Sequence, residues 1–132
     1  MNTFVLTGAT GFLGGHLMAG LVKSGQRLIV LGRASPELSF AERVGRQLHW
    51  FGLDDWSDQV ETVEGDLLEP GFGLERPCYE ALCARGASII HCAADTRFAE
   101  RNRLEITAVN VEGLKGILDF AVDGRAPFFH YV

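Results

Sequence analysis

Residues 5–17 read VLTGATGFLGGHL, an apolar run that breaks on Gly8 and resumes as a helical pattern after Gly11. The spacing Gly8-x-x-Gly11-x-x-Gly14 gives each glycine a physical task. Gly8 permits the tight turn off the strand, Gly11 lets backbone approach a pyrophosphate, and Gly14 lets the helix lie close to the sheet. The amides of Gly11, Phe12 and Leu13 would then face phosphates at a helix N-terminus, where the helix dipole also favours an anion. Strand, turn and helix sit in a unit of about 30 residues that closes on a second strand, the context that separates a dinucleotide cradle from a bare turn.

That unit repeats outward along the chain. Five aliphatic runs, TFVLTG (3–8), RLIVLG (27–32), VETVEGD (60–66), ASIIHCA (87–93) and PFFHYV (127–132), show no clean alternation, as expected of strands buried on both faces. Helical patterns lie between them. Residues 12–24 place Leu13, Leu17, Leu21 and Val22 on one stripe, closed by Gly25 as a left-handed cap. Residues 36–48 open with Ser35-Pro36-Glu37, a cap followed by a first-turn proline, and continue through Leu38, Ala41, Val44 and Leu48. Residues 76–85 form a short candidate helix, and 101–122 put Leu104, Ala108, Val111, Leu114, Leu118 and Val122 at helical spacing. Alternating strand and helix predicts an α/β fold, a three-layer Rossmann-like parallel sheet with helices on both faces and strand order 3-2-1-4-5. Residues 49–59 read as a loop whose Trp50, Phe51 and Trp56 cap the open end of the sheet.

The 132 residues suit one domain, 1–132, and 12 basic against 17 acidic residues give a net charge of −5. No basic cluster supports a nucleic-acid or anionic-membrane partner, so a small molecule or another protein is expected. No apolar run approaches the ~20 residues of a membrane span, and the N-terminus carries no signal-peptide pattern. Cys78, Cys83 and Cys92 have neither metal nor redox spacing and read as thiols of a reducing cytoplasm. His91 and Cys92, in an apolar strand, read as a core histidine and a core thiol; His16 and His130 receive the same reading, and no metal ligand set or nucleophile is assigned.

The end of the second strand bears on the cofactor. An acid about 20 residues past the glycines usually accepts the ribose 2′-hydroxyl of NAD. Nineteen residues after Gly14 stands Arg33, and the first acid beyond it is Glu37. Arginine there pairs with a 2′-phosphate, which favours NADP over NAD, and Arg43 on the next helix would add a second contact.

The run Thr7-Gly8-Ala9-Thr10-Gly11-Phe12-Leu13-Gly14 resembles the nucleotide loop of extended short-chain dehydrogenases/reductases. GRAS with AERV behind it, VEGDLLEPGFGL (63–74), IIHCAADTRF (89–98) and NVEGLKGIL (110–118) are similar, in order, to the thioester reductase branch, which includes fatty acyl-CoA reductases. The resemblance implies that Asp66 and Leu67 contact the adenine ring. It further implies that Ala93 and Ala94 leave room for the cofactor, and that Asn110 and Gly113 belong to the fourth crossover helix, with Asn110 bracing backbone near the active site. It implies an oxidoreductase that takes hydride from NADP(H) and reduces an acyl thioester, on CoA or a carrier protein, to an aldehyde or alcohol.

In that family the fifth strand leads to a serine or threonine, and a Tyr-x-x-x-Lys pair follows, with lysine lowering the tyrosine pKa for general-acid work. Here the lysines are Lys23 and Lys115, and the residues four before them are Ala19 and Val111. No catalytic residue is therefore assigned. The expectation is a cofactor platform, the N-terminal part of a longer reductase, whose apolar edge PFFHYV invites a covering element or a homodimer. Two other readings fit the same residues: a sugar-nucleotide epimerase/dehydratase or steroid-dehydrogenase-like enzyme, and a non-catalytic dinucleotide sensor or interaction module.

Overall fold

A computed structural model of the chain describes residues 2–93 and 103–132. The chain alternates as β1 (Thr3–Thr7), α1 (Phe12–Lys23), β2 (Arg27–Gly32), α2 (Phe40–Trp50), β3 (Val60–Glu64), α3 (Arg76–Ala84) and β4 (Ser88–His91). It continues through α4 (Arg103–Thr107), a π-helical segment (Ala108–Glu112), α5 (Gly113–Asp123) and β5 (Phe129–Tyr131). The strands form one sheet in the order β3-β2-β1-β4-β5, and every pairing is parallel, as the sequence leads one to expect.

The apolar runs lack alternation because the sheet has a core on each face. In β2, Leu28 and Val30 pack with Met18, Val22, Phe40, Val44 and Leu48 beneath α1 and α2. Ile29 and Leu31, one residue out of phase, pack with Phe72, Ile117 and Phe120 on the opposite face. Each fully buried aliphatic chain contributes roughly 1.5–3 kcal/mol. The central strands therefore hold the fold together, and β5, with Tyr131 and the preceding Phe128 exposed, is its open edge.

The helices depart from their expected faces for local reasons. The buried face of α1 is Gly14, Gly15, Met18, Ala19 and Val22, rotated from the Leu13–Leu17–Leu21 stripe. Small residues let this face approach: a methyl on Gly15 would overlap the Gln47 amide of α2. Gly25 closes α1 at φ +78 as expected, with Gly25 N–H donating to Val22 O and Gln26 N–H to Leu21 O. Helix α2 begins at Phe40, four residues later than Pro36. Its cap is Ser39, whose Oγ accepts from Glu42 N–H at 3.1 Å. Ser39 therefore caps the helix in place of Ser35-Pro36, and its hydroxyl donates in turn to Glu42 Oε1 at 3.2 Å.

The apolar spacing over 101–122 does not describe a core face. Leu104, Val111, Leu118 and Val122 are exposed, and the buried residues of α5 are Gly113, Ile117 and Phe120, with Leu114 packed beside them. Leu104, ahead of the π-helical segment, is already exposed, as Leu118 and Val122 are beyond it, so the stripe lies on the outer face.

The aromatics of 49–59 also divide. Trp56 packs against the core, whereas Trp50 ends α2 and is 76% exposed. Trp50, Phe51, His16 and Phe12 form a surface ladder with successive ring centroids 5.0, 4.9 and 4.6 Å apart. His16 is therefore not a core residue. His130 is exposed too, beside Phe128. Among the described residues no helix is long and apolar enough to cross a membrane.

Candidate functional site

The C-terminal ends of β1, β2 and β4 surround a hollow of about 390 Å³. Gly8, Thr10, Gly11, Arg33, Arg43, Asp66, Leu67 and Ala93 line it together. Residues distant in sequence thus meet because a parallel sheet brings its loops to one end. A larger groove, about 800 Å³, lies between α3 and α5. Its Tyr79 donates to Asp123 Oδ2 at 2.8 Å, tying the two helices, and burial together with the Asp123 carboxylate pushes the phenol well above its ordinary range.

The glycine loop is built as the sequence requires at two positions and differs at a third. Gly8 has φ +76, and a methyl there would lie 2.6 Å from the Cys92 carbonyl carbon. A methyl on Gly14 would overlap Gly8 O and lie 2.5 Å from Gly8 C. The Gly11 amide, expected to face a phosphate, instead donates to Gly8 O at 3.0 Å. It closes the turn and is spent. The first intrahelical bond runs from Gly15 N–H to Gly11 O, so Phe12, Leu13 and Gly14 supply the three N–H groups at the start of α1. Gly11 is the N-cap residue and no side chain caps it, while the exposed Phe12 and Leu13 side chains point outward. An uncapped helix N-terminus facing a hollow has the donors and the dipole for an anion.

Two arginines stand beside this terminus. Arg33 leaves the end of β2 exposed. Arg43, half-buried on α2, donates through Nη1 to Arg33 O at 2.6 Å and through Nη2 to Thr10 Oγ1 at 3.2 Å. Arg43 therefore joins the glycine loop to the β2–α2 connection. On the far wall, Asp66 Oδ1 accepts from Leu68 N–H at 3.0 Å, which fixes the turn after β3 and sets Leu67 against α5. Asn110 is half-buried in the π-helical segment and has a partner within the structure. Ala94 lies outside the described residues.

Sequence reasoning missed what holds the β4 end in place. Thr7, fully buried, places Oγ1 2.7 Å from His91 Nδ1, 3.1 Å from Cys92 N and 3.2 Å from Ala93 N. A hydroxyl has one proton and two lone pairs. The two amides donate into the lone pairs, so the proton goes to Nδ1. His91 is therefore a neutral imidazole with its proton on Nε2. The available signal was a hydroxyl residue where the strand pattern calls for an aliphatic one.

Burial lowers the His91 pKa from its ordinary value of 6.5. A histidine depressed in the native state contributes stability above its unfolded pKa and loses it as pH falls through the folded value. The unfolding free energy should then decline below about pH 6.5, with a limiting slope of roughly 1.4 kcal/mol per pH unit. Urea titrations from pH 7.5 to 5 measure it, and His91→Asn should flatten that part of the curve. Burial raises the Cys92 thiol, which keeps it protonated and a poor nucleophile, in line with a packing role.

Comparison with known proteins places this geometry in context. Residues 6–132 match the family model described as male sterility protein. The hybrid PKS-NRPS synthetase pvhA of Talaromyces variabilis is 32% identical over 97% of the chain, which spans 3% of that protein. The L-2-aminoadipate reductase large subunit of Penicillium chrysogenum is 31% identical over 98% of the chain, which spans 10% of it. Among solved structures, the terminal R domain of the myxalamid PKS-NRPS pathway superposes with a TM-score of 0.84 and 30% identity. That match covers 99% of the chain and 34% of the solved domain. The chain thus spans a small part of its curated relatives and about a third of the solved domain.

Proposed function

We propose, from the premise that the chain belongs to the male sterility protein family of NAD(P)-binding domains, that it is the NADP(H)-holding portion of a reductase acting on acyl thioesters. The observation that carries this reading is the uncapped start of α1, which faces the same hollow as Arg33 and Arg43. The residues present fit the cofactor. Phe12, Leu13 and Gly14 amides would receive the pyrophosphate, and Gly11 offers no side chain to obstruct it. Arg33 and Arg43 would hold a 2′-phosphate, with Thr10 steadying Arg43. Asp66 and Leu67 would border the adenine, while Ala93, Ala94 and Asn110 would border the nicotinamide end.

When bound, the nicotinamide supplies hydride. This chain's residues bind and orient: the helix terminus fixes the phosphates, and the Thr7 hydroxyl holds the Ala93 backbone against the glycine loop. The thioester substrate class follows from the R-domain and aminoadipate reductase likeness, and domain 1–132 is proposed as the first part of that longer enzyme.

Isothermal titration of NADPH and NADH into the full-length protein tests the reading. NADPH should bind more tightly, and Arg33→Ala should weaken NADPH by about 10-fold or more, the worth of a charge-assisted phosphate contact, while changing NADH by less than about twofold. Equal losses for both cofactors, or no binding of either, would overturn it.

A further inference from the structure

The end of β2 lacks an acid in sequence, yet the sheet supplies one from the neighbouring strand. Glu64 pairs in register with Gly32, directly beside the point where Arg33 leaves β2. Its Oε1 accepts from Phe40 N–H at 3.1 Å, capping the first amide of α2, while Ser39 serves the amide of Glu42. Three residues after Phe40, Arg43 reaches Arg33 O and Thr10 Oγ1. Glu64 also shares with Arg33, Ala34 and Asp66 a shallow depression of about 320 Å³ that has Arg33, Gly65 and Asp66 in common with the main hollow. An exposed carboxylate at the end of a strand thus accepts from a backbone amide, in a depression that Arg33 also lines.

We propose that Glu64 is a specificity-determining residue for the cofactor's ribose. A 2′-phosphate brought to Arg33 and Arg43 meets the Glu64 carboxylate as a like charge, whereas a 2′-hydroxyl does not. Glu64 therefore lowers the preference for NADPH that the two arginines create and leaves NADH binding in place. The carboxylate is exposed at the strand end, and its hydrogen bond from the Phe40 amide holds it on the side of the depression that Arg33 lines. This inference rests on the NADP(H) reading above.

Glu64→Gln separates charge from cap, since the amide oxygen still accepts from Phe40 N–H. Titrations of NADPH and NADH into the full-length protein should show NADPH tightened by about three- to tenfold, the scale of one removed charge near a partly exposed site. NADH should stay within about twofold, and the NADPH gain should shrink at high salt. Glu64→Thr, neutral and suited to a strand, repeats the test if the glutamine variant melts early. An unchanged NADPH-to-NADH ratio in both neutral variants overturns the proposal and leaves Glu64 a helix cap alone. Arg33→Ala run in parallel distinguishes the two failures: if it changes the ratio while Glu64→Gln does not, only the Glu64 inference falls. If Arg33→Ala leaves the ratio unchanged, the 2′-phosphate reading falls with it.

Discussion

Gly14→Ala should destabilise the domain by about 3 kcal/mol or more, although alanine is the better helix former. In an exposed helix interior the exchange would stabilise by about 1 kcal/mol. Here the new methyl would overlap Gly8 O, with Gly8 C at 2.5 Å and Ala9 N at 3.1 Å. All three are backbone atoms of the turn off β1, and Gly8 O already accepts from Gly11 N–H. Neither side can yield without lifting α1 off the sheet, which would open the contact of Met18 and Val22 with the core. Overpacking of this kind costs more than propensity returns. Gly11→Ala is the matched control. Among the described residues its methyl would meet only Gly8 O, at 3.4 Å, and its backbone is ordinary, φ −84. That variant should keep its fold within about 1 kcal/mol and lose cofactor affinity instead, because the side chain stands at the mouth of the anion site. Urea unfolding and cofactor titration of both variants read the two effects separately. Equal stabilities would show that α1 does not depend on the glycine approach.

That contrast marks what the sequence made legible. The layers followed from strand alternating with helix, and burial on both faces of the central strands from apolar runs such as RLIVLG that show no alternation. The assembly of Gly8, Thr10, Gly11, Arg33, Arg43, Asp66, Leu67 and Ala93 around one hollow followed from the topology, which brings loop ends together. What escaped was phase and partnership. The face of α5 was misplaced because the apolar stripe counted from Leu104 lies on the outside, while the buried face is carried by Gly113, Ile117 and Phe120. Helix α2 started late because two serines compete as caps, and Ser39 is the one whose hydroxyl accepts a helix amide, that of Glu42, and donates to the Glu42 carboxylate. The Gly11 amide was assigned to a ligand, yet a tight turn uses its own donors first. Glu64 was silent because its neighbours, Gly32 and Phe40, lie 32 and 24 residues earlier and meet it only through the sheet.

Thr7→Val is the second large effect, expected to cost about 2–4 kcal/mol with almost no change in volume. Threonine and valine are nearly isosteric, so the loss isolates the hydroxyl from cavity formation. Removing it leaves the buried His91 Nδ1 without its donor and the Ala93 amide without its acceptor. Cys92 N–H retains Thr7 O at 3.3 Å and is less affected. Each unpaired buried group carries roughly 1–3 kcal/mol. Thr7→Ser keeps the hydroxyl and loses one methyl, about 1 kcal/mol, so it should be the more stable of the two variants. The difference reaches the site, because Ala93 lines the hollow and its backbone is held only as well as its amide is bonded. Thr7→Val should therefore also weaken cofactor binding, through disorder at the β4 end, while Thr7→Ser binds nearly as the parent does. Urea unfolding free energies that place valine level with or above serine would mean that the hydroxyl is dispensable. The β4 end would then be held by sheet pairing and by the packing of Gly8 against Cys92 and Ala93.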